Sequence, residues 1–156
     1  MDSEPVFIPR SDQVDFSKAR WCPVVNCVVR YRDKFLLVKR NRKMRLYPEY
    51  WNGISGFLDD RKSLEEKVYE ELNEETGLTK ENIKSIKLCG IFDQEDLSIG
   101  KSWIVHAVAV TVDTNNLTFD WEAEDHNWVT KDEVVTYQLL PGFDQVLEAV
   151  ISHGEE

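Results

Sequence analysis

The sequence is poor in cysteine and has no long apolar run. Its three cysteines, Cys22, Cys27 and Cys89, are too few and too scattered for a disulfide framework or a zinc site, so each is expected to be a small buried hydrophobe. No stretch approaches the roughly 20 apolar residues of a membrane-spanning helix, and the N-terminus lacks the basic start and apolar centre of a secretory signal. These absences predict a protein of a reducing, cytoplasmic compartment with no membrane partner.

Positive charge is scarce as well. The 19 lysines and arginines face 29 acidic residues, which gives a net charge of −10 at pH 7. Such a balance argues against a general nucleic-acid binder, which is normally basic. It does not argue against phosphate chemistry, because a bound divalent metal reverses the local field. A nucleic-acid partner is therefore expected only where a capped or terminal nucleotide is recognised.

The first half of the chain predicts a β-hairpin followed by irregular backbone. Residues 24–31 are rich in β-branched side chains, the letters RDK supply a turn, and residues 35–39 form the return strand. Pro48, Gly53 and Gly56 then indicate irregular structure. Before the hairpin, residues 1–20 form a polar arm. Its expected apolar anchors are Val6, Phe7, Ile8 and Phe16.

The second half predicts helices alternating with strands. A helix is expected to begin at Ser63, which fits a capping box with Glu66, and to end at Gly77. The later elements are strands at residues 86–92 and 103–112, a strand or two within 117–129, a short helix from Thr130 and a final helix after Pro141. This order predicts one α+β domain over residues 1–156, with helices flanking a mixed sheet.

The first helix has an unusual distribution of charge. It contains six glutamates and one lysine. Its apolar stripe, which must pack on the sheet, is Leu64, Val68 and Leu72. A second set of neighbouring positions is acidic: Glu71, Glu74 and Glu75. Glu75 falls at nearly the same helical angle as the apolar stripe, where a carboxylate is costly unless it is paired or binds metal.

Two interpretations of these glutamates remain open on geometry alone. They form either a solvated acidic face or a site for a hard cation such as Mg²⁺, which takes oxygen ligands. Carboxylates near a helix C-terminus oppose the helix dipole, which counts against a purely structural role for Glu74 and Glu75.

Residues 56–78, GFLDDRKSLEEKVYEELNEETGL, resemble the Nudix box G-x5-E-x7-R-E-U-x-E-E-x-G-U, in which U is a bulky aliphatic residue. The positions that agree are Gly56, Glu71, Leu72, Glu74, Glu75, Gly77 and Leu78. A hairpin before the box and the letters EAEDHNWV after it also match the family's arrangement. The resemblance extends over most of the chain.

The resemblance implies a Nudix fold, an α/β/α sandwich. It also implies a pyrophosphatase, a hydrolase acting on phosphoric anhydride bonds, which cleaves a nucleoside diphosphate linked to another group. Mg²⁺ would be the cofactor, with Mn²⁺ as a substitute. By this resemblance Glu71, Glu74 and Glu75 bind the metal, helped by the backbone carbonyl of Gly56. The general base would be a box glutamate or one of two later candidates, Glu122 and Glu124.

Two positions depart from the box. Lys62 stands where the family has glutamate, and Glu70 stands where it has arginine. Because both charges are reversed, we hypothesise that the two residues form the family's salt bridge with opposite polarity. The alternative is a weakened site, which would make the chain a nucleotide-binding or sensor module that does not cleave its ligand.

The letters KRNRKMR, residues 39–45, concentrate five basic residues before the box. One interpretation is a basic strand end that blocks edge pairing. The other is a phosphate clamp in which Arg40 or Arg42 binds a small nucleotide substrate. The sequence does not identify that substrate, because specificity lies outside the box. A homodimer is compatible with the sequence but is not predicted by any motif.

Overall fold

The predicted hairpin lies at the centre of a mixed β-sheet. In the computed structural model, which describes residues 8–153, β1 (Trp21–Tyr31) and β2 (Lys34–Arg40) run antiparallel. Arg32 in the turn adopts a positive φ of 58°. Both strands are longer than the sequence predicts, but their pairing and turn are as expected.

Seven strands within residues 8–153 form the sheet. The others are β3 (Trp51–Asn52), β4 (Ile54–Phe57), β5 (Ile83–Asp96), β6 (Lys101–Val112) and β7 (Ala123–Val129). The main order is β3-β2-β1-β6-β5, with β4 paired to β1 and β7 paired to β2. β1 and β6 are parallel, and the remaining pairs are antiparallel.

The hairpin strands separate away from their turn. β1 pairs with β2 only at Arg30 and Tyr31, whereas its earlier residues Val24 to Cys27 pair with β4. The short strands β3 and β4 occupy the resulting opening, where the sequence indicated only irregular backbone. Gly53 joins them, and a Cβ there would lie 2.5 Å from the carbonyl oxygen of Cys27. This close approach explains the need for glycine.

Two helices cover opposite faces of the sheet. α1 (Leu64–Thr76) packs Val68 and Leu72 against one face, and α2 (Phe143–His153) packs on the other. Because side chains alternate along a strand, Val29 of β1 joins the core under α1 and Val28 joins the core under α2. The predicted α+β class and the α/β/α sandwich are therefore confirmed. Two short 3₁₀ turns, Lys80–Asn82 and Glu133–Thr136, complete the described elements.

The ends of α1 follow the sequence signals. The backbone N–H of Glu66 donates to Ser63 Oγ, and the N–H of Ser63 donates to Glu66 Oε1, each at 3.2 Å. Gly77 ends the helix with φ of 74°, and its N–H donates to the carbonyl of Asn73. These caps fix the rotation and the end of the helix that carries the acidic residues.

The N-terminal arm differs from its prediction. Val6 and Phe7 lie outside the described residues, and Ile8 is 81% exposed, so the expectation that Ile8 anchors the arm is wrong. Polar contacts made by residues 10–14 hold the arm instead. Cys22 and Cys27 are buried free thiols, as predicted, whereas Cys89 is a free thiol that is only partly buried. Within residues 8–153, no helix combines the length and the apolarity needed to cross a membrane.

Candidate active site

The acidic face of α1 lies directly against β4. A Cβ added at Gly56 would be 2.5 Å from Glu71 Oε1, so any side chain at this position would collide with the carboxylate. The first glycine of the box is thus required because the helix packs its glutamate against the strand backbone. Gly56 and Glu71 both line one large cavity of about 480 Å³.

Three glutamates of α1 bring carboxylate oxygens close together. One oxygen each from Glu70, Glu71 and Glu74 lies within 4.8 Å of the other two. Glu75, the fourth acidic residue of this segment, forms a side-chain hydrogen bond with Glu71. It also lines a small cavity of about 20 Å³ together with Glu122 and Asp120. A cavity of that size accommodates about one water-sized particle.

The pKa values of these glutamates are raised. Burial is the largest cause of the raised pKa of Glu71 and of the still stronger rise at Glu75. The hydrogen bond between them raises the pKa of Glu75 and lowers that of Glu71, which is the behaviour of two acids sharing one proton. Burial and the charge of Glu70 also raise the pKa of Glu74. Crowded, partly buried carboxylates of this kind fit a hard divalent cation.

Glu70 differs from its neighbours because both of its oxygens contact lysines. Lys62 Nζ lies 2.9 Å from Glu70 Oε2, and Lys67 Nζ lies 3.3 Å from Glu70 Oε1. The structure thus brings together the two residues that depart from the box. It also leaves Glu70 less available to a metal than Glu71 or Glu74.

Lys67 is the residue of this region that the sequence analysis missed. Its side chain is only 3% exposed and contacts Asp59 at 3.2 Å, Asp60 at 2.9 Å and Glu70 at 3.3 Å. Burial alone would lower the pKa of Lys67, but the hydrogen bonds and charges of Asp60 and Asp59 raise it. Lys67 is the only lysine of α1 and lies at the edge of the apolar stripe. This position could have identified it in the sequence as a buried, paired lysine.

The two later candidate bases occupy different environments. Glu122 lines both cavities, and its charge contributes to the raised pKa of Glu71 and of Glu75. Glu124 instead accepts from the backbone N–H of Arg42 at 2.7 Å and pairs with Lys39 Nζ at 3.5 Å. Glu124 is not among the described residues that line either cavity.

The basic run also divides in the structure. Arg40 lines both cavities, and its Nε and Nη2 donate to the carbonyl of Leu46 at 3.0 and 2.8 Å. Arg40 therefore also shapes the loop that follows β2. Arg42 is exposed and is not part of the described lining of either cavity.

The large cavity has an aromatic region beside its acidic region. The rings of Phe57 and Trp103 are 6.1 Å apart, and Trp103 Nε1 donates to the Tyr47 hydroxyl at 3.3 Å. Tyr47 in turn hydrogen-bonds Asp96, which fixes the orientation of the chain of rings. Phe57 is 39% exposed although it is a large apolar residue. A partly exposed ring set in a cavity can stack on a flat ligand.

The comparisons with known proteins agree with this architecture. The model of the NUDIX domain family matches residues 20–150. The chain therefore belongs to the NUDIX domain family, which confirms the resemblance seen in residues 56–78. Membership of this family also confirms the enzyme class predicted from those residues, a Nudix hydrolase.

Solved structures share the fold at low sequence identity. A Nudix hydrolase from Nitrosomonas europaea has 22% identity and a TM-score of 0.70, over 84% of this chain and 88% of that one. The NUDIX domain of Shewanella oneidensis NrtR, complexed with ADP ribose, has 18% identity and a TM-score of 0.71, over 85% and 87%. A MutT protein from Methanosarcina mazei Go1 has 21% identity and a TM-score of 0.69, over 89% and 99%. A search of curated proteins found no significant match.

Proposed function

We propose that this protein is a divalent-metal-dependent pyrophosphohydrolase that cleaves a nucleoside diphosphate linked to another group. The observation that carries the proposal is the composition of one cavity. Clustered carboxylates of α1, with raised pKa values at Glu71 and Glu74, lie in the same cavity as the rings of Phe57 and Trp103. The first feature suits a metal and a diphosphate, and the second suits a nucleobase.

Glu71, Glu74 and Glu75 would hold the cation, Mg²⁺ or its substitute Mn²⁺, with help from the backbone carbonyl of Gly56. When bound there, the cation would neutralise diphosphate oxygens and lower the pKa of an attacking water. Glu122 would accept the proton of that water, and its place in the lining of the small cavity that Glu75 also lines supports this role. Arg40 lies at the same cavities and supplies positive charge for the substrate phosphates.

A small nucleotide is the favoured substrate class. The NrtR domain binds ADP ribose, a nucleoside diphosphate joined to a sugar, on the same fold. A cavity of about 480 Å³ is in the range of small-molecule sites. ADP ribose is therefore the first compound to test. The cytoplasmic location and the single domain over residues 1–156 stay predictions, and a homodimer stays compatible with the sequence without being predicted by it.

The proposal is tested by incubating the protein with Mg²⁺ and a panel of substrates, followed by chromatography of the products. The panel contains ADP ribose, nucleoside triphosphates, dinucleoside polyphosphates, nucleotide sugars and capped RNA. We expect a nucleoside monophosphate from at least one compound, and no turnover when EDTA removes the metal. Tight binding without any turnover would instead support the alternative, a nucleotide-binding module. Neither binding nor turnover would contradict both.

Replacing Glu122 and Glu124 by glutamine, one at a time, tests which of them is the general base. Glu122→Gln is expected to lower kcat by about 10²-fold or more, because a general base contributes roughly 10² to 10⁴ in rate. Glu124→Gln is the matched control and is expected to leave kcat nearly unchanged, since its side chain contacts Lys39 and the backbone of Arg42. Steady-state kinetics on the best substrate measure both. The reverse order of effects would assign the base to Glu124.

A further inference from the structure

The N-terminal arm contributes to the wall of the large cavity. Arg10 and Gln13 line it together with Glu70, Glu71 and Glu74. Both residues precede the segment that the family model matches, which begins at residue 20. The arm therefore contributes two lining residues to the cavity from outside the segment that the family model matches.

Specific contacts hold the arm in this position. The backbone N–H of Val14 donates to the carbonyl of Asp59 at 2.6 Å, and Gln13 Nε2 donates to Asp59 Oδ2 at 3.4 Å. Arg10 Nη2 donates to Asp60 Oδ2 at 3.2 Å. Asp60 is itself only 1% exposed and contacts Lys67 Nζ at 2.9 Å. The arm is thus connected through the loop before α1 to the helix that carries the glutamates.

Lys67, which lines the cavity, has no N–H donor left for a ligand. Lys67 is 3% exposed, and its ammonium group contacts three carboxylates, which equals its number of N–H donors. Arg40 directs its Nε and Nη2 to the carbonyl of Leu46. Both cations are thus engaged in contacts within the protein, and the other cations among the described lining residues are Arg10 and Arg45.

Arg10 has a different arrangement. Its side chain is 54% exposed, and it makes two side-chain contacts, with Asp12 at 3.4 Å and Asp60 at 3.2 Å. A guanidinium has five N–H donors, so several remain for a ligand in the cavity. Its positive charge lies beside the acidic cluster, because Arg10 lines the same cavity as Glu70, Glu71 and Glu74.

We propose that Arg10 binds a phosphate oxygen of the substrate diphosphate, so that the N-terminal arm is part of the active site. The inference rests on the proposed function, since it takes the substrate to be a nucleoside diphosphate derivative. A planar guanidinium that lines a cavity beside the proposed metal-binding carboxylates is suited to phosphate oxygens. Asp60 holds the guanidinium in place at its other edge.

The experiment measures binding rather than turnover. Calorimetric titration with α,β-methylene-ADP in the presence of Mg²⁺ uses a diphosphate that the enzyme cannot hydrolyse. Arg10→Gln is expected to weaken binding about 10-fold or more, the fold-change expected when a hydrogen bond to a charged group is lost. Arg10→Lys keeps the positive charge but lacks the planar guanidinium. Its affinity is expected to lie between those of the wild type and Arg10→Gln. With adenosine, which has no phosphate, wild type and Arg10→Gln should bind equally.

Arg20→Gln is the matched control. Arg20 belongs to the same arm and is similarly exposed, but it pairs with Glu95 and is not among the described lining residues of the cavity. It is expected to bind α,β-methylene-ADP as tightly as wild type does. Equal binding by wild type and Arg10→Gln, or equal weakening by Arg20→Gln, would overturn the role of Arg10. Failure of the wild type to bind the diphosphate, together with no turnover of any compound in the substrate panel, would overturn the proposed function itself, and with it this inference.

Discussion

Glu71→Gln is expected to reduce kcat by at least about 100-fold while the protein stays folded. Glu71 is a member of the acidic cluster that forms the candidate metal site. Its carboxylate lies against Gly56, shares a hydrogen bond with Glu75 and approaches Glu70 and Glu74 within 4.8 Å. Loss of a residue that merely supports a metal ligand typically costs about 10- to 100-fold in metal affinity or activity, so loss of a ligand should cost more.

The fold should survive this change because glutamine has nearly the same shape and removes a buried charge rather than adding one. Burial already raises the pKa of Glu71, so its charged form is the costly one. Thermal unfolding is therefore expected to be unchanged or slightly improved in the absence of metal. This combination of lost activity and retained stability is the signature of a functional residue rather than a structural one.

Glu65→Gln is the control for Glu71→Gln. Glu65 lies on the same helix, is exposed and does not line the cavity that the structure describes. We expect wild-type kcat from it. Calorimetric titration with Mn²⁺ adds a reading that does not depend on the substrate, since Glu71→Gln should weaken Mn²⁺ binding and Glu65→Gln should not. Full activity in Glu71→Gln would show that the metal assignment is wrong.

The sequence predicts the acidic centre well because a helix has a fixed period. Once Ser63 and Gly77 set the ends of α1, the positions of Glu71, Glu74 and Glu75 relative to the apolar stripe follow. The hairpin and the final helix are predictable for the same reason. Local patterns of period 2 or 3.6 determine them, and neither requires a distant partner.

The choice between Glu122 and Glu124 depends on a feature that local patterns do not contain. Two residues apart in a regular strand, the pair would point to the same face. The pairing of β2 with β7 instead shifts between Lys39 and Arg40, whose partners are Asp125 and Ala123. Glu124, which lies between these two partners, has no paired residue in β2. A bulge of this kind redirects a side chain, and Glu122 itself lies in the turn just before β7, so strand alternation does not place the two residues on one face. Of the two, Glu122 lines the cavities.

The short strands β3 and β4 were missed for a related reason. They have two and four residues and exist because β1 and β2 separate, which exposes backbone groups that must be paired. Pro48, Gly53 and Gly56 indicated the irregular path correctly but not the pairing. The contacts of Lys67 with Asp59 and Asp60 were equally beyond local patterns, because they join a helix to the loop before it.

Lys67→Met is expected to lower the free energy of unfolding by about 3–5 kcal/mol at pH 7, the largest stability effect in the site. Removing one partner of a buried ion pair leaves uncompensated buried charge. Here the loss affects Asp59, Asp60 and Glu70 together, and Asp60 is only 1% exposed. Methionine keeps the length and the apolar stem of lysine, so the change removes the charge with little loss of packing.

Lys62→Met is the matched control because Lys62 contacts two of the same carboxylates, Asp60 at 3.1 Å and Glu70 at 2.9 Å. Its side chain is 34% exposed, so its ion pairs are screened and its loss should lower the free energy of unfolding much less than the loss of Lys67 does. Urea unfolding followed by tryptophan fluorescence measures both variants. We expect Lys67, more than the pair of Lys62 and Glu70, to hold the loop onto α1. Equal losses of unfolding free energy in the two variants would contradict this expectation.

The pH dependence of the difference between wild type and Lys67→Met provides a second test. Burial would raise the pKa of Asp60, but hydrogen bonds from Lys67 and Lys62 lower it to about 2 in the folded protein. A carboxyl with a depressed folded pKa stabilises the fold above its ordinary pKa near 3.8, and this stabilisation disappears as the pH falls through 2. The cost of Lys67→Met should therefore be complete at pH 7 and shrink between about pH 4 and pH 2. If the cost stayed constant over this range, packing rather than charge would be the contribution of Lys67.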